Sequence, residues 1–218
     1  MTSAALRLAL ADRGVSVAGG AWDIDELEIP AAPGSRRMIA RRESAPLSAL
    51  GAQFLKVSQN YYGELFLNSI GRTPTRPGTA AAGRQVARET LAAWGITADS
   101  FVMSDGSGLS RYDYVTADTI VTLLKHVWQS DKLRGPFLAA LPTSAYDGTL
   151  RTRMRETPLA GRVQAKTGTI SNMRALSGFL TTDSGERIVF SIIVNHYTAP
   201  TAQIDAIAER LLARLVTR

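Results

Sequence analysis

The stretch Val163–Leu180 constrains the fold of this chain more than any other. Its front reads as an exposed strand edge carrying Lys166-Thr167-Gly168-Thr169: a cationic head, two hydroxyls and a glycine that lets another molecule approach the backbone. The apolar runs Arg174–Thr181 and Arg187–Asn195 read as strands packed behind it, with Asp183-Ser184-Gly185-Glu186 as the hairpin turn between them. Ile188–Val194 is apolar almost throughout, so that strand is expected to be covered on both faces. Thr201–Val216 then supplies an amphipathic helix whose buried side is read as Ile204, Ile207, Leu211, Leu212 and Leu215. A three-strand antiparallel meander between helices follows, a mixed α+β (α/β) architecture in which an antiparallel sheet is flanked by helices.

Upstream the periodicity is helical. Residues 2–13 predict a helix stopped by Gly14, and Val15–Trp22 a short strand. Residues 23–44 mix prolines, a glycine and four arginines and read as an exposed connector with a strand near Met38–Ala40. Pro46–Leu55 begins a second helix with Leu47, Leu50, Phe54 and Leu55 on one face, and Tyr61–Ile70 a third, closed by Gly71. Between them lies Lys56-Val57-Ser58-Gln59-Asn60. Ser58 and Asn60 would diverge within a regular helix, but in a turn both can face one cleft. Asn60 equally suits the N-cap of the third helix, with Glu64 favourable in its first turns.

Thr79–Trp94 reads as a long helix, and Ile96–Met103 returns toward the core as a strand. Ser104–Arg111, with two glycines in a polar run, predicts a tight, specifically shaped loop. No Gly-Lys-Ser/Thr follows it, which argues against a nucleotide loop. Thr116 caps a helix reaching Trp128, a shorter helix covers Leu133–Ala140, and Leu150–Met154 starts a helical turn after Asp147-Gly148-Thr149.

Composition narrows the chemistry. The chain is long enough for one sizeable core. It contains no cysteine, which excludes a disulfide framework, a thiol nucleophile and Cys-bearing metal sites. Its two histidines, His126 and His196, lie far apart with no carboxylate spacing that suggests a metal; His126 reads as packing in an apolar helix. No cofactor is expected. The net charge of +6 is dispersed, without an aromatic platform or nucleic-acid motif, and reads as a solvated basic surface; no nucleic-acid partner is expected. No apolar run is long enough to span a membrane, and the N-terminus lacks the features of a secretory signal.

Four motifs now stand in order: Ser-x-Asn within Lys56–Asn60, SDGSGLSR at 104–111, DGTLRTRM at 147–154 and AKTGT at 165–169. Together they resemble the penicillin-binding D-alanyl-D-alanine carboxypeptidase/endopeptidase family, serine-type D,D-peptidases with inserted domains. The resemblance runs over nearly the whole chain. It implies a penicillin-binding/β-lactamase-like transpeptidase domain, incomplete at its N-terminus, with residues 1–218 forming the C-terminal portion of one catalytic domain. It also implies peptidoglycan stem peptides and β-lactams as partners and a periplasmic or other extracytoplasmic location.

The same resemblance implies a role for each site residue. Ser58 would relay a proton to the leaving D-alanine, and Asn60 would hydrogen-bond the substrate amide. Lys166 would polarise the Ser58 hydroxyl and attract the terminal carboxylate. Thr167 would support the strand edge, Gly168 would leave room for substrate, and Thr169 would offer its hydroxyl to the carboxylate and its N–H to the oxyanion.

The wider superfamily also uses a Ser-x-x-Lys that supplies the nucleophile. No serine in this chain has a lysine three positions later. The expectation is therefore a fragment of a longer enzyme, inactive alone, with a non-catalytic peptidoglycan-binding pseudoenzyme as the alternative.

Overall fold

In the computed structural model, which describes residues 3–22, 38, 40–73, 75 and 78–217, the chain forms two compact units, Met1–Ser44 and Ala45–Arg218. In the first, α1 spans Ser3–Ala11 and the chain turns at Gly14, whose φ of 75° costs a glycine nothing. Ser3 Oγ donates to the Trp22 carbonyl at 3.1 Å, returning Trp22 to the start of the helix. The strand expected at Val15–Trp22 is not formed, because Gly19-Gly20 interrupts the side-chain alternation that a strand needs. The strand expected near Met38–Ala40 includes residue 39 and lies outside the described residues.

The second unit begins with α2 (Leu47–Val57) and α3 (Asn60–Ile70), followed by α4 (Ala80–Ala93). Thr79 caps α4, its Oγ1 accepting from the Ala82 N–H at 3.2 Å. α3 and α4 approach closely at Gly83, where an added Cβ would lie 1.8 Å from the Leu67 carbonyl oxygen. β1 (Phe101–Val102) pairs antiparallel with β2 (Tyr114–Val115), a partner the periodicity does not announce because both strands are two residues long. α5 (Ala117–Gln129) is capped by Thr116, which accepts from the Thr119 N–H at 3.1 Å. α6 spans Asp131–Ala140 and starts earlier than its apolar pattern suggests, because Ser130 caps it.

The sheet runs β3 (Val163–Ile170), β4 (Met173–Thr181) and β5 (Arg187–Asn195) in that spatial order, all antiparallel. Asn172 turns the β3–β4 hairpin with φ 62°, a conformation that Asn tolerates better than most residues. Strand alternation sends Val163, Ala165, Leu176, Leu180 and Phe190 to one face, where they form a core with Leu212 and Val216 of α7 (Thr201–Val216). The other face presents Phe179, fully buried against Leu124 of α5 and Leu141. Burying a Phe side chain stabilises by about 2–3 kcal/mol, so this contact fixes the helical layer on the sheet.

Two expectations change. α7 buries Ile204, Ala208, Leu212 and Val216, one residue per turn along a single line; Ile207 and Leu211 are exposed. Leu215 packs half-buried against the same core, so the expected stripe fails at Ile207 and Leu211 alone. In β5 only Phe190 is fully buried, and the other residues from Ile188 to Val194 are half-buried. β5 is an edge strand of the described sheet, with β4 along one side.

Candidate active site

The site is assembled by a left-handed turn. Ser58 ends α2 with φ 59° and ψ 52°, its backbone N–H donating to the Phe54 carbonyl. A non-glycine residue held there stores of order 1 kcal/mol of strain, which the surrounding contacts must hold. Gln59 is extended and takes the N-cap place of α3, so Asn60 is that helix's first residue, not its cap. The turn points Ser58 toward β3, where Lys166 Nζ donates to Ser58 Oγ at 2.7 Å and to the Thr167 carbonyl at 2.6 Å. Burial of the Lys166 amine lowers its pKa from the ordinary lysine value to about 8.

A second segment braces both sides of this contact. Lys56 Nζ donates to Asp147 Oδ2 at 2.5 Å and to the Leu141 carbonyl at 3.0 Å. Asp147 Oδ1 accepts from the Thr143 N–H at 2.8 Å. Gly148 has φ 54° and packs on the Lys56 carbonyl so closely that a Cβ would meet its oxygen at 2.6 Å. Thr167 Oγ1 donates to Thr149 Oγ1 at 2.9 Å. Asp147-Gly148-Thr149 thus holds the Ser58 turn through Lys56 and the Lys166 strand through Thr167. The Asp147 carboxyl lies below its usual range: burial pushes it up, but the Lys56 and Thr143 hydrogen bonds outweigh burial.

The outer edge of β3 is covered only at its start. Thr143 bridges Gln164, and the Ala165 N–H donates to the Pro142 carbonyl at 3.0 Å. From Lys166 to Ile170 no strand pairs with that edge among the described residues. Gly168 is exposed, and an added Cβ would meet only the Ala175 Cβ, at 3.4 Å. Thr169 is exposed, and its Oγ1 accepts from Arg174 Nη1, the residue opposite it on β4.

The Ser104–Arg111 loop stands on α3, the helix that begins at Asn60. Glu64 Oε1 accepts from the Gly106 and Ser107 N–H groups at 3.2 and 3.0 Å. Asp105 accepts from Gly108 and Ser110 N–H at 2.6 and 2.8 Å, and Gly63 and Gly106 meet backbone to backbone. Asp113 accepts from the Ser104 N–H at 2.5 Å, and burial followed by neighbouring Asp105 raises its pKa. Between this loop, α5 and the far end of β3 lies a mainly apolar cavity of about 380 Å³, lined in part by Phe101, Met103, Ile120, Met173 and Ile193.

Sequence reasoning picked out Ser58, Lys166, Thr167, Gly168 and Thr169, and the fold gathers them along one strand edge and its facing turn. Asn60 stands exposed at the start of α3. Arg174, Asp205 and Glu64 were missed. Glu64 had only been read as favourable near a helix start, whereas its carboxylate holds the loop. His126, read as packing, stacks on Trp94 at 4.1 Å, and His196 is exposed beyond β5.

The fold is that of solved penicillin-binding proteins. It superimposes on the crystal structure of penicillin binding protein 4 (dacB) from Haemophilus influenzae, complexed with a novel β-lactam, with a TM-score of 0.86 and 25% identity, covering 99% of this chain and 50% of that one. In sequence it is 39% identical over 210 residues to the D-alanyl-D-alanine carboxypeptidase of Actinomadura sp. (strain R39), covering 93% of this chain and 38% of the relative. It is 29% identical over 174 residues to the D-alanyl-D-alanine carboxypeptidase DacB of Haemophilus influenzae, covering 78% and 36%. The D-Ala-D-Ala carboxypeptidase 3 (S13) family matches residues 2–215, and the chain belongs to that family. It spans well under half the length of these two curated relatives.

Proposed function

We propose that this chain forms the leaving-group and carboxylate-binding side of a serine-type D,D-peptidase site acting on peptidoglycan stem peptides that end in D-Ala-D-Ala. The observation that carries this reading is the 2.7 Å contact between Lys166 Nζ and Ser58 Oγ, beside a strand edge that no strand pairs with among the described residues. An extended peptide laid along Lys166–Ile170 would gain main-chain hydrogen bonds, and Gly168 lets its backbone approach.

In such a reaction a serine hydroxyl attacks the carbonyl of the penultimate D-alanine, the C–N bond breaks, and the departing amine takes a proton. Ser58 would hand over that proton and Lys166 would replace it, since an ammonium with a pKa of about 8 gives up its proton readily near neutral pH. Asn60 would orient the substrate amide, Thr167 braces the strand, and Thr169 would meet the terminal carboxylate. β-Lactams would occupy the same edge. We assign residues 1–218 to a portion of one catalytic domain working outside the cytoplasm.

Because no Ser-x-x-Lys occurs in it, the chain alone is proposed to be inactive. That same absence favours a second reading, a pseudoenzyme that binds stem peptides without cleaving them. Both readings require binding at β3. Titration of the labelled chain with diacetyl-L-Lys-D-Ala-D-Ala should shift the Gly168 and Thr169 amide resonances, and Lys166→Ala should weaken the response at least about tenfold. An unchanged spectrum at millimolar peptide would overturn the proposal.

A further inference from the structure

We infer that the groove between α2 and the Asp147–Arg151 segment is a second ligand site, taking a small monocarboxylate with an apolar body and coupled to the Ser58–Lys166 contact. None of Ser58, Asn60 or Lys166–Thr169 lines it, so it stands apart from the strand edge proposed for stem peptides.

The groove measures about 680 Å³. Along α2 its wall is Ala49, Gln53 and Val57, which recur every fourth residue and therefore share one helix face; all three are exposed. Ala52 adds a further apolar side chain beside them. A wall of this kind suits the body of a short aliphatic ligand.

Charge selects the head group. Three charged residues line the groove: Lys56, Asp147 and Arg151. Asp147 has both oxygens engaged, Oδ2 accepting from Lys56 Nζ at 2.5 Å and Oδ1 from the Thr143 N–H at 2.8 Å. Lys56 spends two of its three N–H groups, on Asp147 and on the Leu141 carbonyl. Arg151 is exposed and forms no ion pair among the described residues. The lining thus carries one uncompensated positive charge, with guanidinium protons and one ammonium proton left to donate. A single carboxylate matches it. A cation is repelled, and a neutral amide gains less from the same donors.

Arg151 also acts on Asp147. Burial raises the Asp147 carboxyl, and the hydrogen bonds from Lys56 and Thr143, with the charges of Lys56 and Arg151, bring it below its usual range. A carboxylate seated on Arg151 offsets part of that field and competes with Asp147 for Lys56. Lys56 stands two residues before Ser58, and Thr149, two residues before Arg151, accepts from Thr167 Oγ1 at 2.9 Å. Occupation of the groove therefore reaches both halves of the Ser58–Lys166 contact, the turn through Lys56 and the strand through Thr149.

The test is a chemical-shift titration of the intact chain with sodium hexanoate, with hexanamide and sodium chloride as controls. Hexanoate should shift the Gln53, Thr149 and Arg151 amides with a dissociation constant of about 10 mM, and the Ser58 and Lys166 amides should move with the same constant. Hexanamide should bind at least about fivefold more weakly, and chloride should produce no saturable shift. Arg151→Gln should weaken hexanoate at least about fivefold. Gln53→Glu, an isosteric change at an exposed helix position, adds a carboxylate to the groove and should do the same, so the test holds even where Arg151→Gln fails to fold. Absence of saturable shifts at about 100 mM hexanoate, equal affinity for hexanoate and hexanamide, or undiminished binding in either folded variant would overturn the site. Groove binding that leaves Ser58 and Lys166 unmoved would overturn the coupling. Each of these outcomes leaves the proposed function standing, because that function is read at β3 with the stem peptide.

Discussion

Lys166 Nζ and Ser58 Oγ meet at 2.7 Å across 108 positions of sequence. The contact depends on two local features that must coincide: a serine in left-handed backbone at the end of α2, and a lysine on the α2-facing side of β3. The turn alone would leave the hydroxyl without its cation. The strand alone would leave the mostly buried amine with only the Thr167 carbonyl to donate to.

Lys166 should titrate near 8 in the folded chain, visible in the Hε and Cε resonances of labelled lysine, and Lys166→Met should remove that transition. The sign of the linkage follows from the depressed value. Below about 8 both folded and unfolded chains hold the proton, and the buried charge costs stability; between about 8 and 10.5 only the unfolded chain holds it, so stability rises with pH. The stability advantage of Lys166→Met over wild type in urea should therefore shrink between pH 7 and pH 10. An advantage that stays flat would contradict the buried amine.

Asp147→Asn should cost about 1 kcal/mol, because it removes one partner of a half-buried ion pair. The Asp147 carboxyl is held low, so its contribution is present above the ordinary carboxylate range and lost as pH falls through the folded value. Urea midpoints of wild type and variant should converge in acid. The variant should also move the Ser58 and Lys166 resonances, since Lys56 would lose its anchor.

Two glycine substitutions should separate packing from binding. Gly83→Ala drives a methyl into the Leu67 carbonyl and should destabilise by about 2–3 kcal/mol in thermal unfolding. Gly168→Ala meets only the Ala175 methyl and should change stability by less than about 0.5 kcal/mol. The same Gly168→Ala should nonetheless weaken stem-peptide binding, because its methyl stands on the edge where a peptide backbone would lie.

The meander was legible because its three apolar runs are bounded by turn residues, and the helices because Thr79 and Thr116 cap them. The pairing of β1 with β2 was not, since two-residue strands leave no alternation to read. The α7 stripe was misjudged at Ile207 and Leu211, where hydrophobicity without a packing partner looks the same in sequence as hydrophobicity with one. Lys166 and Ser58 announced themselves through motifs. Arg174 did not, because its importance arises from its cross-strand neighbour Thr169 and from Asp205, 31 residues further on.

The most direct test is the intact mass of this chain after prolonged incubation with benzylpenicillin. With Ser58 proposed as a proton relay and no Ser-x-x-Lys in the sequence, the mass should remain that of the unmodified protein. A one-to-one acyl adduct, on Ser58 or on any other serine, would show that the chain carries its own nucleophile and would contradict the division of roles proposed here.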